Sequence, residues 1–421
     1  MYKKTVLKNG LRIITVPMKN TRTVTVLAMV GTGSKYETKE TSGLSHFLEH
    51  AFFKGTKKRP TTLKIAEELD KVGGIFNAFT GKESTGYWAK VDSKHLDLAL
   101  DWVSDIFLNS KIEEKEIKKE KGVIIEEMNL YLDTPTAYIS DLWEKLLYGN
   151  QPAGWLIIGN KDNILRFKRK DFLDYLNNHY STKNTIVCVA GDIESELAEQ
   201  KIRRFFKKIK TNAPKSKLKV IEEQKKPQSL IHFKKTDQTH VFLGVRGYDA
   251  FHSQKFPQAI LATILGGFMS SRLFISVREK RGLAYHVKTF SENATDTGYL
   301  ATSAGVDHRN VEKTIKLILK EYKMLKNKKI DQPELQKAKD NLRGILNLSL
   351  EASDAQASFY TDQELLIGKI LSPEEIFKKI DAITAEDIQK LAKDIFRPEK
   401  LNLALIGPFK NKEKFDKLLK I

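Results

Sequence analysis

TVTVLAMVG, residues 23–31, is the best indicator of the fold, because the other half of the chain contains a similar stretch. This stretch reads THVFLGVRG at residues 239–247, so that Gly247 corresponds to Gly31. Both stretches are rich in apolar and β-branched residues and end at a glycine, which is typical of a buried strand followed by a turn. They predict equivalent strands in two similar halves.

A second pair of strand-like stretches has the same separation. NTIVCVAGDI at 184–193 resembles KLNLALIGPF at 400–409, and Gly407 follows Gly191 at the same distance along the chain as Gly247 follows Gly31. Self-similarity at a fixed offset is the signature of an internal repeat. Two separate pairs with one offset therefore predict a chain that arose by duplication.

Between these strands, helical and strand patterns follow one another in a definite order. Apolar alternation on both sides of Asn9-Gly10 predicts a β-hairpin. Further patterns predict helices over 43–54, 62–72, 94–108, 113–132, 136–148 and 170–179, and strands over 74–80 and 84–91. We predict an α+β fold with two homologous domains, each a mostly antiparallel sheet packed with helices. The predicted bounds are 1–210 for the first domain, 211–228 for a linker and 229–421 for the second domain.

Length and composition limit the class of protein. The chain has 421 residues, of which 41% are hydrophobic and 30% charged, and suits a globular protein with more than one core. No apolar run reaches the roughly 18 residues that crossing a bilayer needs, so no membrane span is expected. The N-terminus lacks the apolar segment of a signal peptide, and a single cysteine, Cys188, excludes an internal disulfide. We expect a cytoplasmic protein.

The net charge of +19 raises the question of nucleic acid. The basic residues are mainly lysines on helical faces, with a local excess at 201–219. No zinc-finger, RNP-type or glycine-rich phosphate motif accompanies them. A solvated lysine-rich surface is the better interpretation, and no nucleic-acid partner is expected.

The motif HFLEH at 46–50 is the main candidate for chemistry. On a helix, residues i and i+4 share one face, so His46 and His50 direct two imidazoles to one point and Glu49 reaches the same side. A catalytic zinc needs three protein ligands, so a third must come from elsewhere. The alternative is that the two histidines are only partly buried and hydrogen-bonded.

The third ligand is expected in the stretch KEKGVIIEEMNLYLDTP at 119–135. Glu120 and Glu127 are two helical turns apart beside the apolar Val123 and Ile124, where a carboxylate needs a partner. A cation provides one if one glutamate binds it and the other hydrogen-bonds a ligand histidine. The alternative is that the acidic pair Glu126-Glu127 is solvated.

The second half lacks the motif. At the offset that separates the repeated strands, the positions equivalent to His46, Glu49 and His50 are occupied by Ala262, Leu265 and Gly266. No HxxEH sequence occurs anywhere else in that half. The duplicate is therefore expected to keep the scaffold without the metal site.

The chain resembles the inverted-motif zinc peptidases of the pitrilysin, insulin-degrading and mitochondrial-processing-peptidase type. The resemblance covers nearly the whole chain in the expected order. It rests on the metal helix with its approach loop at 31–56, GGIFNAFTGKESTGYWAKV at 73–91, EKGVIIEEMNLYLDTP at 120–135 and GGFMSSRLFISVREKRGLAYHV at 266–287. The length is similar to that of the short bacterial and processing-peptidase branch, in which one chain forms half of a clam-shaped enclosure.

The resemblance implies a role for each residue of the metal site. It makes His46 and His50 zinc ligands, with one zinc per chain, and Glu49 the base that activates the zinc-bound water. Its third ligand falls on Glu127 and its histidine-bonding acid on Glu120. Glu126 is one position short and faces about 100° away on the helix. Residues 1–210 would then be the zinc-binding catalytic domain.

The resemblance also implies residues that contact substrate. Arg278 and Tyr285, in the otherwise metal-free domain 229–421, match the pair that this family presents to the substrate. A structural alternative for REKRGLAY is a charged helix end that turns at Gly282. Residues 75–80 match the family's substrate-edge strand, and an extended peptide could add there as a strand, with Asn77, Ala78 and Phe79 as the expected contacts.

The function implied is that of a zinc endopeptidase acting on short or unfolded peptides bound as an added β-strand inside a closed chamber. A homodimer or a heterodimer with a related subunit is expected. The alternative from another class is a catalytically silent scaffold or core subunit of a larger complex, as in respiratory-complex relatives. Such relatives typically lose metal ligands, whereas here the whole set is present.

Overall fold

The computed structural model describes residues 2–421. Their strands are β1 (Lys3–Val6), β2 (Arg12–Pro17), β3 (Thr23–Val30), β4 (Ile75–Thr80), β5 (Thr85–Asp92), β6 (Thr185–Gly191), β7 (Gln228–Phe233), β8 (Thr239–Arg246), β9 (Ala284–Asn293), β10 (Gly298–Val306) and β11 (Leu401–Gly407).

The α-helices of the first half are α1 (Leu44–Phe52), α2 (Thr62–Asp70), α3 (Leu96–Asn109), α4 (Glu114–Asp133), α5 (Pro135–Tyr148), α6 (Lys161–Arg166), α7 (Arg169–His179) and α8 (Ser195–Phe205). Those of the second half are α9 (Lys255–Gly266), α10 (Val311–Asn327), α11 (Gln332–Ser349), α12 (Ser353–Asp362), α13 (Pro373–Asp381), α14 (Ala385–Ile395) and α15 (Glu413–Asp416). The predicted helices and strands of the first half are confirmed, with bounds that differ by a residue or two.

The strands form two sheets with the same internal order. The first sheet runs β1-β2-β6-β3-β5-β4 and the second β7-β11-β8-β10-β9. In both, one neighbouring pair is parallel (β2 with β6, β7 with β11) and the remaining pairs are antiparallel. Apart from the added hairpin strand β1, the second sheet repeats the first, which confirms the predicted duplicated α+β fold.

Each sheet is covered on both faces, and one of the covering helices comes from the other half of the sequence. One face of the first sheet packs on α1, α3 and α8, and the other face packs on α12. The second sheet has α9, α10 and α14 on one face and α5 on the other. The residues that face these helices are apolar on both sides, as expected for a sheet buried on both faces.

The chain consequently forms two compact units that exchange segments. The first unit comprises 1–128, 155–218 and 348–370, and the second comprises 129–154, 219–347 and 371–421. These bounds differ from a simple division at the predicted linker 211–228, because α12 belongs to the first unit and α5 to the second. A helix that buries an apolar face joins the sheet on which it packs, whichever half of the sequence it comes from.

None of the helices within residues 2–421 combines the length and the apolar character that crossing a membrane requires.

The exchanged helix α5 provides a test of this packing. Trp143 is fully buried and its ring lies against Phe242 and Tyr299, at centroid distances of 6.1 and 5.7 Å. Trp143→Ala is expected to lower the free energy of unfolding by about 3–5 kcal/mol, because it removes a large buried ring and leaves a cavity. Chemical denaturation followed by circular dichroism measures the change.

The matched control is Leu197→Ala on α8, where the side chain is 47% exposed. It should change the free energy of unfolding by less than about 0.5 kcal/mol. Equal effects of the two substitutions would show that α5 does not stabilise the second sheet.

Candidate metal centre

Helix α1 presents an apolar face to the core and a polar face away from it. Phe47, Leu48 and Ala51 are buried in the core of the first unit, whereas His46, Glu49 and His50 are only partly buried. The helix follows Gly43, whose φ of 98° is a left-handed conformation that favours glycine. The same helix thus anchors itself through its apolar side chains and holds three polar groups together.

A buried carboxylate fixes the start of this helix. Glu37 accepts hydrogen bonds from the backbone N–H groups of Gly43 and Ser45, at 2.8 and 2.7 Å. These groups are among the N–H groups that a helix leaves without an internal partner. Burial raises the pKa of Glu37 to about 8, although these hydrogen bonds and that from the Ser45 side chain oppose the rise. Because His46 follows Ser45 directly, Glu37 positions the first candidate ligand.

The structure brings His46, His50 and Glu127 together. One possible ligand atom from each lies within 4.8 Å of the others. Glu127 Oε1 is 3.6 Å from His46 Nε2, and Glu127 Oε2 is 3.5 Å from His50 Nε2. Two ligands of one tetrahedral zinc, each bound at about 2.0–2.1 Å, are about 3.3–3.4 Å apart. The separations are therefore close to those of three ligands around a single ion.

The electrostatics of the cluster suit a divalent cation. Burial, and then the charge of His50, lowers the pKa of His46 to about 3, so its imidazole is neutral and keeps a lone pair. Burial also raises the pKa of Glu127. Within residues 2–421, His46 Nδ1 and Glu127 Oε2 are buried and have no hydrogen-bond partner. Two imidazoles and a carboxylate are a normal zinc donor set, so the residues present fit the ion that the sequence predicts.

Glu120 and Lys54 hold His50 in this orientation. Glu120 Oε1 lies 2.9 Å from His50 Nδ1, and Lys54 Nζ donates to Glu120 Oε2 at 2.7 Å. Burial alone would raise the pKa of Glu120, but hydrogen bonds from His50 and Lys54 outweigh it and lower the pKa. Glu120 therefore lies within hydrogen-bonding distance of a candidate ligand histidine. Lys54 was not predicted, although its position four residues after His50 could have indicated it.

Glu126 and Glu127 have different environments on α4. Glu126 is exposed, whereas Glu127 is half-buried and faces the two histidines. The difference follows from the helical rotation of about 100° per residue. The structure thus brings Glu127, and not Glu126, close to the two histidines; its role as a ligand stays a prediction.

Glu49 lies beside the cluster without belonging to it. Its Oε2 accepts a hydrogen bond from the Thr80 hydroxyl at the end of β4. Burial raises the pKa of Glu49, while the bond from Thr80 and the nearby charge of His50 oppose the rise. The carboxylate thus lies on the same helix as the two candidate histidine ligands without being one of the clustered ligand groups. Thr80 was not among the predicted site residues.

The predicted substrate residues lie on β4, at the edge of the first sheet. The side chain of Ala78 packs against the core cluster that contains α1, whereas Phe79 packs on the opposite face of the sheet. The Ala78 N–H donates to the side-chain oxygen of Asn77 at 2.9 Å. Adjacent residues of one strand therefore face different surroundings, as the alternation of a strand requires.

Arg278 and Tyr285 are adjacent in the second unit. The guanidinium of Arg278 lies 4.9 Å from the centre of the Tyr285 ring, and this ring is 79% exposed. Arg278 belongs to a π-helical segment, Phe274–Glu279, and its carbonyl accepts the Gly282 N–H at 2.8 Å. Gly282 has a φ of 57°, so the chain turns there as the structural alternative predicted. The turn is what brings the two side chains together.

Comparisons with known proteins place this chain in a family. Residues 12–160 match the model described as Insulinase (Peptidase family M16), and residues 166–342 match the model described as Peptidase M16 inactive domain. Over 411 residues the chain is 36% identical to "Uncharacterized zinc protease YmxG" of Bacillus subtilis (strain 168), covering 98% of this chain and 99% of that protein. An "Uncharacterized zinc protease" of Rickettsia felis is 35% identical over 403 residues and 96% of each chain.

The chain therefore belongs to peptidase family M16, and these relatives are named zinc proteases. The first family model covers His46 to Glu127, and the second covers Arg278 and Tyr285.

Solved structures share the fold across the whole chain. A protease from Helicobacter pylori superposes with a TM-score of 0.90 at 24% identity, over 97% of this chain and 99% of that one. A protein from Pseudomonas fluorescens, described as a peptidase M16 inactive domain, gives 0.89 at 17% identity, over 97% and 98%. A chain of "Complex III2 from Candida albicans, Inz-5 bound" gives 0.86 at 18% identity, over 100% of both chains. These identities support the fold alone.

Substitutions on α4 test the proposed ligand set. Wild-type protein is expected to bind about one zinc per chain. Glu127→Gln should weaken zinc binding by more than about 100-fold, since losing even an outer hydrogen-bond partner of a ligand costs about 10- to 100-fold. Competition with a chromogenic chelator measures the affinity.

Glu126→Gln is the matched control, because it removes an exposed carboxylate from the neighbouring position. It should leave zinc affinity within about twofold of the wild type. A larger effect of Glu126→Gln than of Glu127→Gln would show that the assigned helical register is wrong.

Proposed function

We propose that this chain is a zinc-dependent endopeptidase that cleaves short or unfolded peptides. The observation that carries the proposal is the convergence of His46, His50 and Glu127, with the free carboxylate of Glu49 on the same helix as the two histidines. Membership of peptidase family M16 and relatives named zinc proteases support it. The proposed stoichiometry is one zinc per chain.

The proposed chemistry assigns one task to each group. Zinc bound by His46, His50 and Glu127 supplies Lewis acidity, which polarises a carbonyl group and makes water more acidic. Glu49 accepts a proton from the attacking water and passes it to the leaving amine. Burial raises the pKa of Glu49, which makes its carboxylate a better proton acceptor.

Glu120 and Lys54 support this chemistry without contacting substrate. The hydrogen bond between Glu120 and His50 Nδ1 fixes the ring so that Nε2 faces Glu127. Lys54 pairs with Glu120 at 2.7 Å, which partly offsets the repulsion between the Glu120 and Glu127 carboxylates. A fixed ligand orientation favours one metal geometry over others.

The proposed substrate site is the edge strand β4. An extended peptide that adds to this edge satisfies backbone groups that the sheet leaves unpaired. Asn77, Ala78 and Phe79 lie on this strand and are the proposed contacts. A segment within a folded domain is not available as an isolated extended strand. Short or unfolded peptides are therefore the proposed substrates.

Arg278 and Tyr285 are proposed to contact the substrate carbonyl during the reaction. Both can donate hydrogen bonds to the oxygen on which negative charge develops. The cation–π contact with Arg278 fixes the exposed ring of Tyr285. Because all the proposed groups belong to one chain, a homodimer would need no other component, and a heterodimer with a related subunit is equally compatible.

A silent scaffold is the second candidate function. The fold is shared with a chain of Complex III2 and with a protein described as an inactive domain. The polar cluster on α1 costs free energy, because three ionisable groups are partly buried there. A scaffold would not need it. Peptide cleavage therefore decides between the two candidates.

Glu49→Gln tests the proposed base. Zinc-loaded wild type and variant are incubated with a mixed peptide library, and products are read by mass spectrometry. The variant should keep about one zinc per chain and lose cleavage by about 100- to 10,000-fold, since its amide cannot accept the proton. Glu126→Gln serves as the control and should cleave as the wild type does. Cleavage by Glu49→Gln at the wild-type rate would remove Glu49 from the role of base.

Tyr285→Phe tests the second unit's contribution. The ring and its contact with Arg278 remain, so only the hydroxyl is lost. The kcat should fall by about 100-fold with little change in KM, as when one donor to the developing oxyanion is removed. Tyr248→Phe is the control, because it removes a hydroxyl that donates to Asp394 in the same unit. A wild-type kcat in Tyr285→Phe would exclude the proposed contact.

A further inference from the structure

We propose that Thr80 is a positioning residue that joins the bound peptide strand to the base Glu49. The inference deepens the proposed function and rests on it. Neither the resemblance nor the comparisons assign a role to Thr80. It follows from one observed side-chain contact of this residue and from the direction in which its backbone groups point.

The first contact is the hydrogen bond from the Thr80 hydroxyl to Glu49 Oε2. Within residues 2–421, no other side chain or backbone group donates to the Glu49 carboxylate. A glutamate has three rotatable side-chain bonds, so a single fixed donor strongly limits where its carboxylate lies. The second oxygen, Oε1, stays available for a proton.

The second observation is the direction of the Thr80 backbone groups, which follows from the hydrogen-bonding pattern between β4 and β5. In an antiparallel pair, alternate residues bond the partner strand and the others direct their backbone groups away from it. Gly81 N–H donates to Ser84 O at 2.8 Å, directly beyond the last strand pair. The β4 residues that lie an even number of positions before Gly81 therefore form backbone hydrogen bonds with β5. Thr80 and Ala78 lie at odd positions and direct their backbone groups to the unpaired edge. The donation from Ala78 N–H to the Asn77 side chain, which lies off the ladder, agrees with this phase.

The side chains of this outward set face α1. Phe76 and Ala78 pack against the core cluster that includes this helix, and the Phe76 ring stacks on Phe53 with centroids 6.3 Å apart. Thr80 lies two residues after Ala78, so its side chain is on the same face of the strand, and its hydroxyl donates to Glu49 on α1. It is thus a residue of β4 whose backbone faces an added strand while its side chain holds Glu49.

The consequence is a coupling between substrate binding and catalysis. A peptide that pairs with the edge of β4 orders the backbone at Thr80 and thereby fixes its Cβ. The branched side chain has a restricted χ1, which limits where the hydroxyl lies. The Glu49 carboxylate is then held at a constant distance from the bound strand. Small errors in the placement of a base relative to substrate cost large factors in rate, so this coupling acts on kcat rather than on binding.

Two substitutions at Thr80 separate the hydroxyl from the rest of the side chain. Thr80→Val keeps the shape and removes the donor, and is expected to lower kcat by about 10- to 100-fold with KM within about twofold of wild type. Thr80→Ser keeps the donor and should stay within about threefold of the wild-type kcat. Zinc content and the affinity of the metal-free protein for an uncleaved peptide, measured by fluorescence anisotropy, should match wild type in both.

The matched control is Thr15→Val on β2 of the same sheet. Thr15 is buried and, within residues 2–421, its hydroxyl has no hydrogen-bond partner, so the substitution removes no contact. It should leave kcat unchanged. In the Glu49→Gln background, Thr80→Val should have no further effect on the residual rate, because Thr80 acts through Glu49.

Several results would overturn the inference. A wild-type kcat in Thr80→Val, or an equal loss in Thr80→Ser, would show that the hydroxyl is not what matters. A crystal structure of Thr80→Val in which the Glu49 carboxylate is unchanged and equally ordered would also show that the hydroxyl does not position it. This result needs no measurement of activity. If wild type cleaves no peptide, the proposed function fails instead, and the crystal structures alone decide whether Thr80 positions Glu49.

Discussion

Helix α1 has to satisfy two opposite requirements within nine residues. Its apolar side chains bury themselves in the core of the first unit, and its polar side chains are drawn partly out of water as a result. The cost is visible in the depressed pKa of His46 and the raised pKa values of Glu49 and Glu127. Ionisable groups in such surroundings are normally paired or bound to metal. A divalent cation bound by His46, His50 and Glu127, as proposed, would offset that cost.

The second unit shows what the same scaffold looks like without that requirement. Its sheet repeats the strand order of the first, and α9 occupies the region of the sequence equivalent to α1. Ala262 and Leu265 are buried apolar residues there, and a side chain at Gly266 would approach the Thr289 backbone nitrogen to 2.5 Å. Close packing has replaced the polar cluster. The exposed ring of Tyr285 lies outside α9, on β9 of this unit.

The two units also depend on each other's sequence for their cores. Helix α12 covers the first sheet and α5 covers the second, and each lies beyond the helix that carries the chain from one unit to the other. Both faces of each sheet are buried only when the exchanged helix is in place. Neither unit therefore corresponds to one uninterrupted half of the sequence, although the duplication itself is read directly from it.

Features that depend on local spacing can be read from the sequence alone. The four-residue separation of His46 and His50 places them on one face of any helix, and the seven-residue separation of Glu120 and Glu127 does the same on α4. The hairpin at Asn9-Gly10 and the strands that recur at one fixed offset are likewise visible as short patterns, and the structure contains them.

Which of these segments contact one another is visible in the tertiary structure and not in the sequence. The contact of Lys54 with Glu120 and that of Thr80 with Glu49 join segments that are far apart in the sequence. Lysine and threonine are common residues, and the spacing of Lys54 from His50 does not by itself identify Glu120 as its partner. The exchange of α5 and α12 is decided in the same way, because the apolar face of a helix does not specify which sheet will bury it. Long-range partners are chosen by the packing of the whole chain, and a pattern of a few residues contains no record of that choice.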